Sequence, residues 1–205
     1  MWFNMGNVRL YGATSGYTEL APPAVAPDGV LSLPSGTGTI AKTTDQGLVH
    51  INTTTFSAVS SVSLNTVFTS TYANYRIICH LTSASADTTL NVRLRVSAAD
   101  NTTTNYAFGG YFQSYGAGLT TEGGTSQTLF QISGARNGAN SFASFDMIAP
   151  ELAQRTMYAG SGSDAANGRN YVGTFNATTV FDGFSLFPGT GNITGTIRVY
   201  GYKNS

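Results

Sequence analysis

Two segments of this chain alternate so regularly that a slip of one residue would bury an arginine. In Asn91–Val96, the side chains of Val92, Leu94 and Val96 share one face, and Arg93 and Arg95 share the other. In Ile193–Tyr202, Ile193, Ile197 and Val199 point one way, while Thr194, Thr196, Arg198, Tyr200 and Tyr202 point the other. A period of two is the mark of a strand with one buried face. Further strands are expected at Leu48–Phe56, Tyr75–Leu81, Tyr106–Ser114, Thr128–Ile132, Ser141–Ile148, Thr156–Ser161, Tyr171–Phe175 and Phe184–Phe187. Between them lie the turn-rich clusters SASAD, SAADNTTTN, GAGLTTEGGTS, GARNGAN, GSGSDAANGRN and FPGTGN. Helical periodicity is almost absent, and the best helix candidate, Ile148–Met157, has poor apolar spacing and a proline at 150. Short strands without crossover helices predict an all-β fold, an antiparallel sandwich of jelly-roll type.

The beginning of the chain reads differently. Residues 10–41, LYGATSGYTELAPPAVAPDGVLSLPSGTGTIA, are short extended pieces punctuated by Gly, Ser and Pro. Prolines 22, 23, 27 and 34 keep the backbone extended, and glycines 12, 16, 29, 36 and 38 supply turns. Such pieces bury too little surface to be stable alone, so sister copies of the chain are the expected neighbours. Residues 1–41 are therefore expected to form an N-terminal anchor with a β-hairpin or extended stalk, residues 42–56 a connector strand, and residues 57–205 a β-sandwich head.

Charged residues make up only 10% of the 205, with ten basic against ten acidic. Ordinary globular domains carry about 25%. No net field would draw nucleic acid or anionic lipid, and the usual guard against self-association is weak. No stretch approaches the ~20 apolar residues of a membrane span. Residues 1–10, MWFNMGNVRL, have no apolar run of signal-peptide length, so synthesis in a cytoplasm without export by that route is expected. Trp2, Phe3 and Met5 put three large apolar side chains on the terminus. They are read as an anchor for a groove on another protein, since aromatics dominate interface centres.

Catalytic patterns are weak. Cys79 and His80 are neighbours in a strand, so their side chains leave on opposite faces and cannot act as nucleophile and base. Cys79, the single cysteine, reads as a buried inert thiol. Gly189–Gly191 imitates a dinucleotide loop but runs into a strand, so no helix end would meet a phosphate. Asp146 and Glu151 could be a glycosidase pair only if the carboxyls sit 5–10 Å apart. A solvent-facing or arginine-paired Asp146 is preferred. Residues 164–168 lack the alternating acids and closing Glu of a calcium loop, so a plain turn is expected there. No enzyme activity, metal or cofactor is expected. Tyr106, Phe108, Tyr111, Phe112 and Tyr115, interleaved with glycines, form an aromatic strand. Some of these should be core. The candidate recognition surface is Tyr106, Tyr111, Phe112 and Tyr115, for a sugar or a protein.

The segment 10–41 resembles a motif of bacteriophage tail-fibre and other virion surface proteins, in which a GATSGYTEL-like piece precedes a Pro/Ala stretch and then LSLPSGTGTIA. The ending GTIRVYGYK, residues 195–203, is similar to the last strand of β-rich heads in such proteins. Together these cover about a fifth of the chain. The resemblance implies a homotrimer with intertwined N-terminal hairpins and a β-sandwich head on the surface of a virion made in the host cytoplasm. Only nine residues precede the motif, which favours a compact knob over a long fibre. Two functions fit. A capsid decoration or cement protein, anchored on a capsid or tail protein by Trp2, Phe3 and Met5, is narrowly preferred. The alternative is the receptor-binding head of a short tail fibre, attaching to a host surface glycan or protein.

Overall fold

The computed structural model describes residues 8–11, 17–20 and 47–203. The chain divides into two compact units, 1–40 and 41–205. In the first, β1 (Val8–Tyr11) pairs antiparallel with β2 (Tyr17–Leu20), Val8 opposite Leu20 and Tyr11 opposite Tyr17. Trp2, Phe3 and Met5 lie outside the described residues.

The second unit is an antiparallel β-sandwich. Its strands run in chain order as β3 (Leu48–Val59), β4 (Val62–Leu64), β5 (Asn74–Ala84), β6 (Thr88–Val96), β7 (Ala99–Asp100), β8 (Tyr106–Ser114) and β9 (Leu119–Gln127). There follow β10 (Phe130–Ala135), β11 (Ser141–Ile148), β12 (Thr156–Asp164), β13 (Asn167–Phe175), β14 (Gly183–Pro188) and β15 (Ile193–Tyr202). Eight of them form one sheet in the order β3-β15-β5-β11-β12-β13-β8-β9. Five form the other, β10-β6-β14-β4, with β7 paired to β6. Of the stretch read as a connector, residues 48–56 belong to β3, an edge strand of the larger sheet, and residues 42–46 lie outside the described residues.

Both alternating segments hold the expected register, except that Val96, at the end of β6, is 37% exposed and not part of the buried row. Leu90, Val92 and Leu94 of β6 and Ile193, Ile197 and Val199 of β15 are fully buried. Arg93 lies on the opposite face with its guanidinium 4.6 Å from the Phe187 ring centroid. Arg95 beside it bonds Asp100 and Ser185.

One core joins the two sheets. Phe184 of the smaller sheet contacts Phe145 of the larger, and Phe130 packs on Tyr106 and Tyr158. Each such aromatic contact adds about 0.5–1.5 kcal/mol beyond area burial. Two buried tyrosines also cross the gap with their hydroxyls. Tyr158 Oη donates to the Gln131 carbonyl at 2.7 Å, and Tyr106 Oη accepts the Leu94 N–H at 3.1 Å. The larger sheet makes room for its rings with glycine. Gly160 stands opposite both Phe145 and Tyr171, and Gly173 opposite Tyr158 and Phe108. A Cβ at Gly160 would sit 2.4 Å from that of Phe145, and one at Gly173 would sit 2.4 Å from the Tyr158 ring. Large and absent side chains therefore alternate across the strands.

The structure corrects the sequence reading in three places. The helix candidate at 148–157 is instead the end of β11, a turn and the start of β12. Pro150 and the positive φ of Ala149 (56°) break any helix there, and the Ala149 N–H bonds the Ala73 carbonyl across the sheet. The cluster GAGLTTEGGTS is mostly β9, and GSGSDAANGRN is mostly the joined ends of β12 and β13. Gly123, Gly160 and Gly162 stand within these strands against neighbouring strands, and Gly116, with a φ of 81°, makes the β8–β9 turn. The β6–β7 hairpin was also unexpected. Ser97 and Ala98 both have positive φ (49° and 65°), the geometry that usually calls for Asn-Gly.

Candidate functional site

The sandwich has two distinct ends. The chain enters β3 at Leu48, which is opposite Tyr202, and the ladder carries that level through Tyr75 and Ile148 to Met157, Thr174 and Ala107. The opposite end holds Ala84, Ser141, Asp164, Asn167, Ser114 and Leu119, with the turns that follow them. We call this the distal end.

The distal end holds a connected network of charged side chains. Asp164, the last residue of β12, has a fully buried side chain. Its Oδ1 accepts from Arg136 Nε at 3.0 Å and from the N–H groups of Ala166 and Asn167 at 2.9 and 3.0 Å. Its Oδ2 accepts from Arg169 Nε at 3.3 Å. Arg136 reaches onward to Asp87 at 2.7 Å, and Asp87 also caps the Asn137 N–H. Arg169 lies over the ring of Phe112, its directly paired neighbour, at 4.8 Å. Glu122 on β9 closes the other side, accepting from Gln131 Nε2 at 2.6 Å and from the Tyr171 hydroxyl. These groups surround a cavity of about 260 Å³ that Thr88 and Thr89 also line.

Burial alone would push the Asp164 carboxyl up. The hydrogen bonds from Ala166, Arg136 and Asn167 outweigh it and hold the group below its usual range. The Asn137 N–H, then Arg136, lower Asp87 likewise. Bonding to Asp164 and Asp87 raises Arg136. Burial, then the Glu122 carboxylate, pushes Tyr171 up to about 12. Asp164, Asp87 and Arg136 therefore stay charged, and Tyr171 stays protonated, through the physiological range. Such groups can orient a ligand by hydrogen bonding but offer no poised proton donor.

The aromatic strand divides along its length. Tyr106 is fully buried, its hydroxyl bonded to Leu94 N–H and the Asn101 carbonyl, so it is core and no part of a recognition surface. Phe112 faces inward under Arg169. Tyr111 is 40% exposed on the outer face of the larger sheet and accepts a bond from Asn170 Nδ2. Tyr115, 64% exposed, sits at the β8–β9 turn, at the distal tip. Tyr111 also borders a shallow trough of about 550 Å³ on the outer face, floored by Gly109, Ser144, Ala159 and Ser161.

The other sequence candidates lie apart. Asp146 is on the outer face, bound to Arg76 at 2.9 Å and to the Tyr202 hydroxyl at 2.7 Å. This is the arginine-paired arrangement preferred from sequence. Cys79 is fully buried, and burial pushes its thiol up to about 12. His80 is exposed on the other face of the same strand, and His50 is exposed on β3, bonded to Thr53. Residues 164–167 form the plain turn expected, with the Asp164 carboxylate bonding the turn's own N–H groups. The distal network escaped the sequence reading because its members are far apart in the chain. Asp87, Glu122, Arg136 and Asp164 each looked like an isolated turn residue.

Comparison with protein family models, curated proteins and solved structures finds no match to this chain.

Proposed function

We propose that this chain is a non-enzymatic structural protein on the surface of a bacteriophage particle, a homotrimer whose β-sandwich is the receptor-binding head of a short tail fibre. The observation that carries this reading is the polarity of the head. The chain enters at one end, and the exposed Tyr115 together with five of the chain's few charged side chains gather at the other. An exposed aromatic and a cavity lined by ionised side chains at the same end, away from Leu48 where the chain enters β3, suit recognition of a host surface glycan or protein. The resemblance of residues 10–41 to virion surface proteins supplies the context. The test is adsorption. Particles carrying Tyr115→Ala should assemble in normal yield and adsorb to host cells at least tenfold more slowly. Unchanged adsorption overturns the reading.

The second reading is a capsid decoration or cement protein, anchored by Trp2, Phe3 and Met5. The low charge of the chain favours it, since a surface poor in charge suits burial between capsid subunits. Deleting residues 1–7 should empty its capsid sites. Full occupancy after that deletion removes this reading.

A further inference from the structure

The smaller sheet covers the inner face of the eight-stranded sheet, and among the described residues of the second unit none covers the outer face. We infer that this outer face is where copies of the chain pack against one another. The inference rests on the homotrimer in the reading above and is independent of the receptor.

Three observations point to a second copy as the occupant. The first is area. Eight strands about 4.8 Å apart and roughly eight residues long make a face of about 1,000 Å². A stable protein interface needs about 800 Å² from each partner. The second is composition. Ten large apolar side chains are exposed among the described residues, and Tyr111, Leu119, Phe142, Met157 and Val172 are on this face, with Met157 at 50% and Val172 at 59%. The charge there is small and partly cancelled. Asp146 is bound by Arg76, which leaves Arg198 toward one edge. A surface that meets its own copy cannot carry a strong field of one sign, and this one does not.

The third observation is relief. Gly109, Ser144, Ala159 and Ser161 floor the trough of about 550 Å³, while Val172 and Tyr111 rise at its border and Met157 and Phe142 stand beyond it on the same strands. Knob and hole belong to one surface but are offset from each other. Rotation about an axis brings the knob of one copy onto the hole of the next, as a closed ring of subunits requires. Tyr111 is then an interface residue and Tyr115 a tip residue, although they are four apart in sequence.

The test uses the full-length protein. Sedimentation at micromolar concentration should give an oligomer, and Val172→Glu and Met157→Glu should each weaken association at least tenfold while the circular dichroism of the fold is kept. Peroxide footprinting of the unaltered protein supplies a second measurement. Met157 should oxidise at least tenfold more slowly at a concentration where the oligomer is full than where it has dissociated, with buried Met147 slow throughout. If the oligomer forms but both variants leave it intact and Met157 oxidises at one rate, the face is not the contact, and the trimer rests on other residues. If the unaltered chain is a single copy at that concentration, the face and the trimer fall together. Adsorption through Tyr115 is read separately, so loss of receptor binding with assembly intact bears only on the earlier reading.

Discussion

The two faces of the eight-stranded sheet share one backbone and differ in almost everything else. On the inner face, Tyr75, Phe145, Tyr158, Tyr171 and Phe175 are all 2% exposed or less, and glycine stands beside them where two rings could not fit. On the outer face the same strands carry Ser144, Ala159, Ser161 and Asn170, with a few large apolar groups standing free. The inner face has been packed to a solid. The outer face has been kept low and nearly neutral. A sheet needs only one buried face to be stable, so the composition of the other is free to serve contacts outside the fold.

The sharpest way to break this contrast is to cut one side chain from each face. Phe145→Ala opens a cavity in the middle of the core and should cost about 3–5 kcal/mol. Val172→Ala, on the exposed side of β13, should change the stability of a dissociated chain by less than about 0.5 kcal/mol. Urea unfolding at low protein concentration measures both. Comparable losses at the two sites would mean that the outer face is packed against something within the chain.

The acid response should be intermediate, and it separates the distal end from both faces. Asp164 has a folded-state value below its unfolded one of about 3.9. The unfolded chain therefore binds a proton first on acidification. The stability from this group is fully present above pH ~4 and is lost as pH falls through the lower, folded value. Asp87 acts in the same direction. The urea midpoint should hold steady from pH 7 to 5 and drop below about 4. Asp164→Asn should be less stable at neutral pH, because two guanidinium groups lose their buried partner, and its midpoint should fall less steeply in acid. An identical acid slope in the two proteins would show that Asp164 does not carry the effect.

The same contrast explains what could be read from the sequence. Strands with a strict in-and-out alternation, β6 and β15, were legible to their register, because a buried arginine is the cost of any other pairing. The inner rows of β12 and β13 were legible only in part. Gly160 and Gly162 signal turns by composition, and only Phe145 beside the first and Ser133 beside the second explain them. β9 was missed for a related reason. LTTEGGTSQ has little apolar content because it is an edge strand, open along most of its length, and it is ordered by pairing with β8. Of the four aromatic candidates, Tyr111 and Tyr115 are exposed, Phe112 faces inward beneath Arg169, and Tyr106 is core. An aromatic run on a strand must send alternate rings inward, but the sequence does not say which parity is buried. The charged distal cluster was illegible altogether, since Glu122, Arg136, Asp164 and Arg169 come from four strands or turns and meet only after the sheets have closed.

The smallest expected effect is on the outer face itself, at the pair Arg76–Asp146. Their nitrogen and oxygen are 2.9 Å apart, but the two side chains are 35% and 29% exposed, and a pair so open to water contributes about 0–1 kcal/mol. A double-mutant cycle with Arg76→Ala and Asp146→Ala in the dissociated chain should therefore give a coupling below about 1 kcal/mol, weakening further in high salt. In the assembled protein the pair would be covered. Removing Arg76 alone would then leave Asp146 with only the Tyr202 hydroxyl, at a cost that water no longer offsets. The coupling should rise when the cycle is repeated by comparing association strengths. A coupling that stays the same in both measurements would mean that water reaches Arg76 and Asp146 equally before and after assembly, and that the contact between copies lies elsewhere on the sheet.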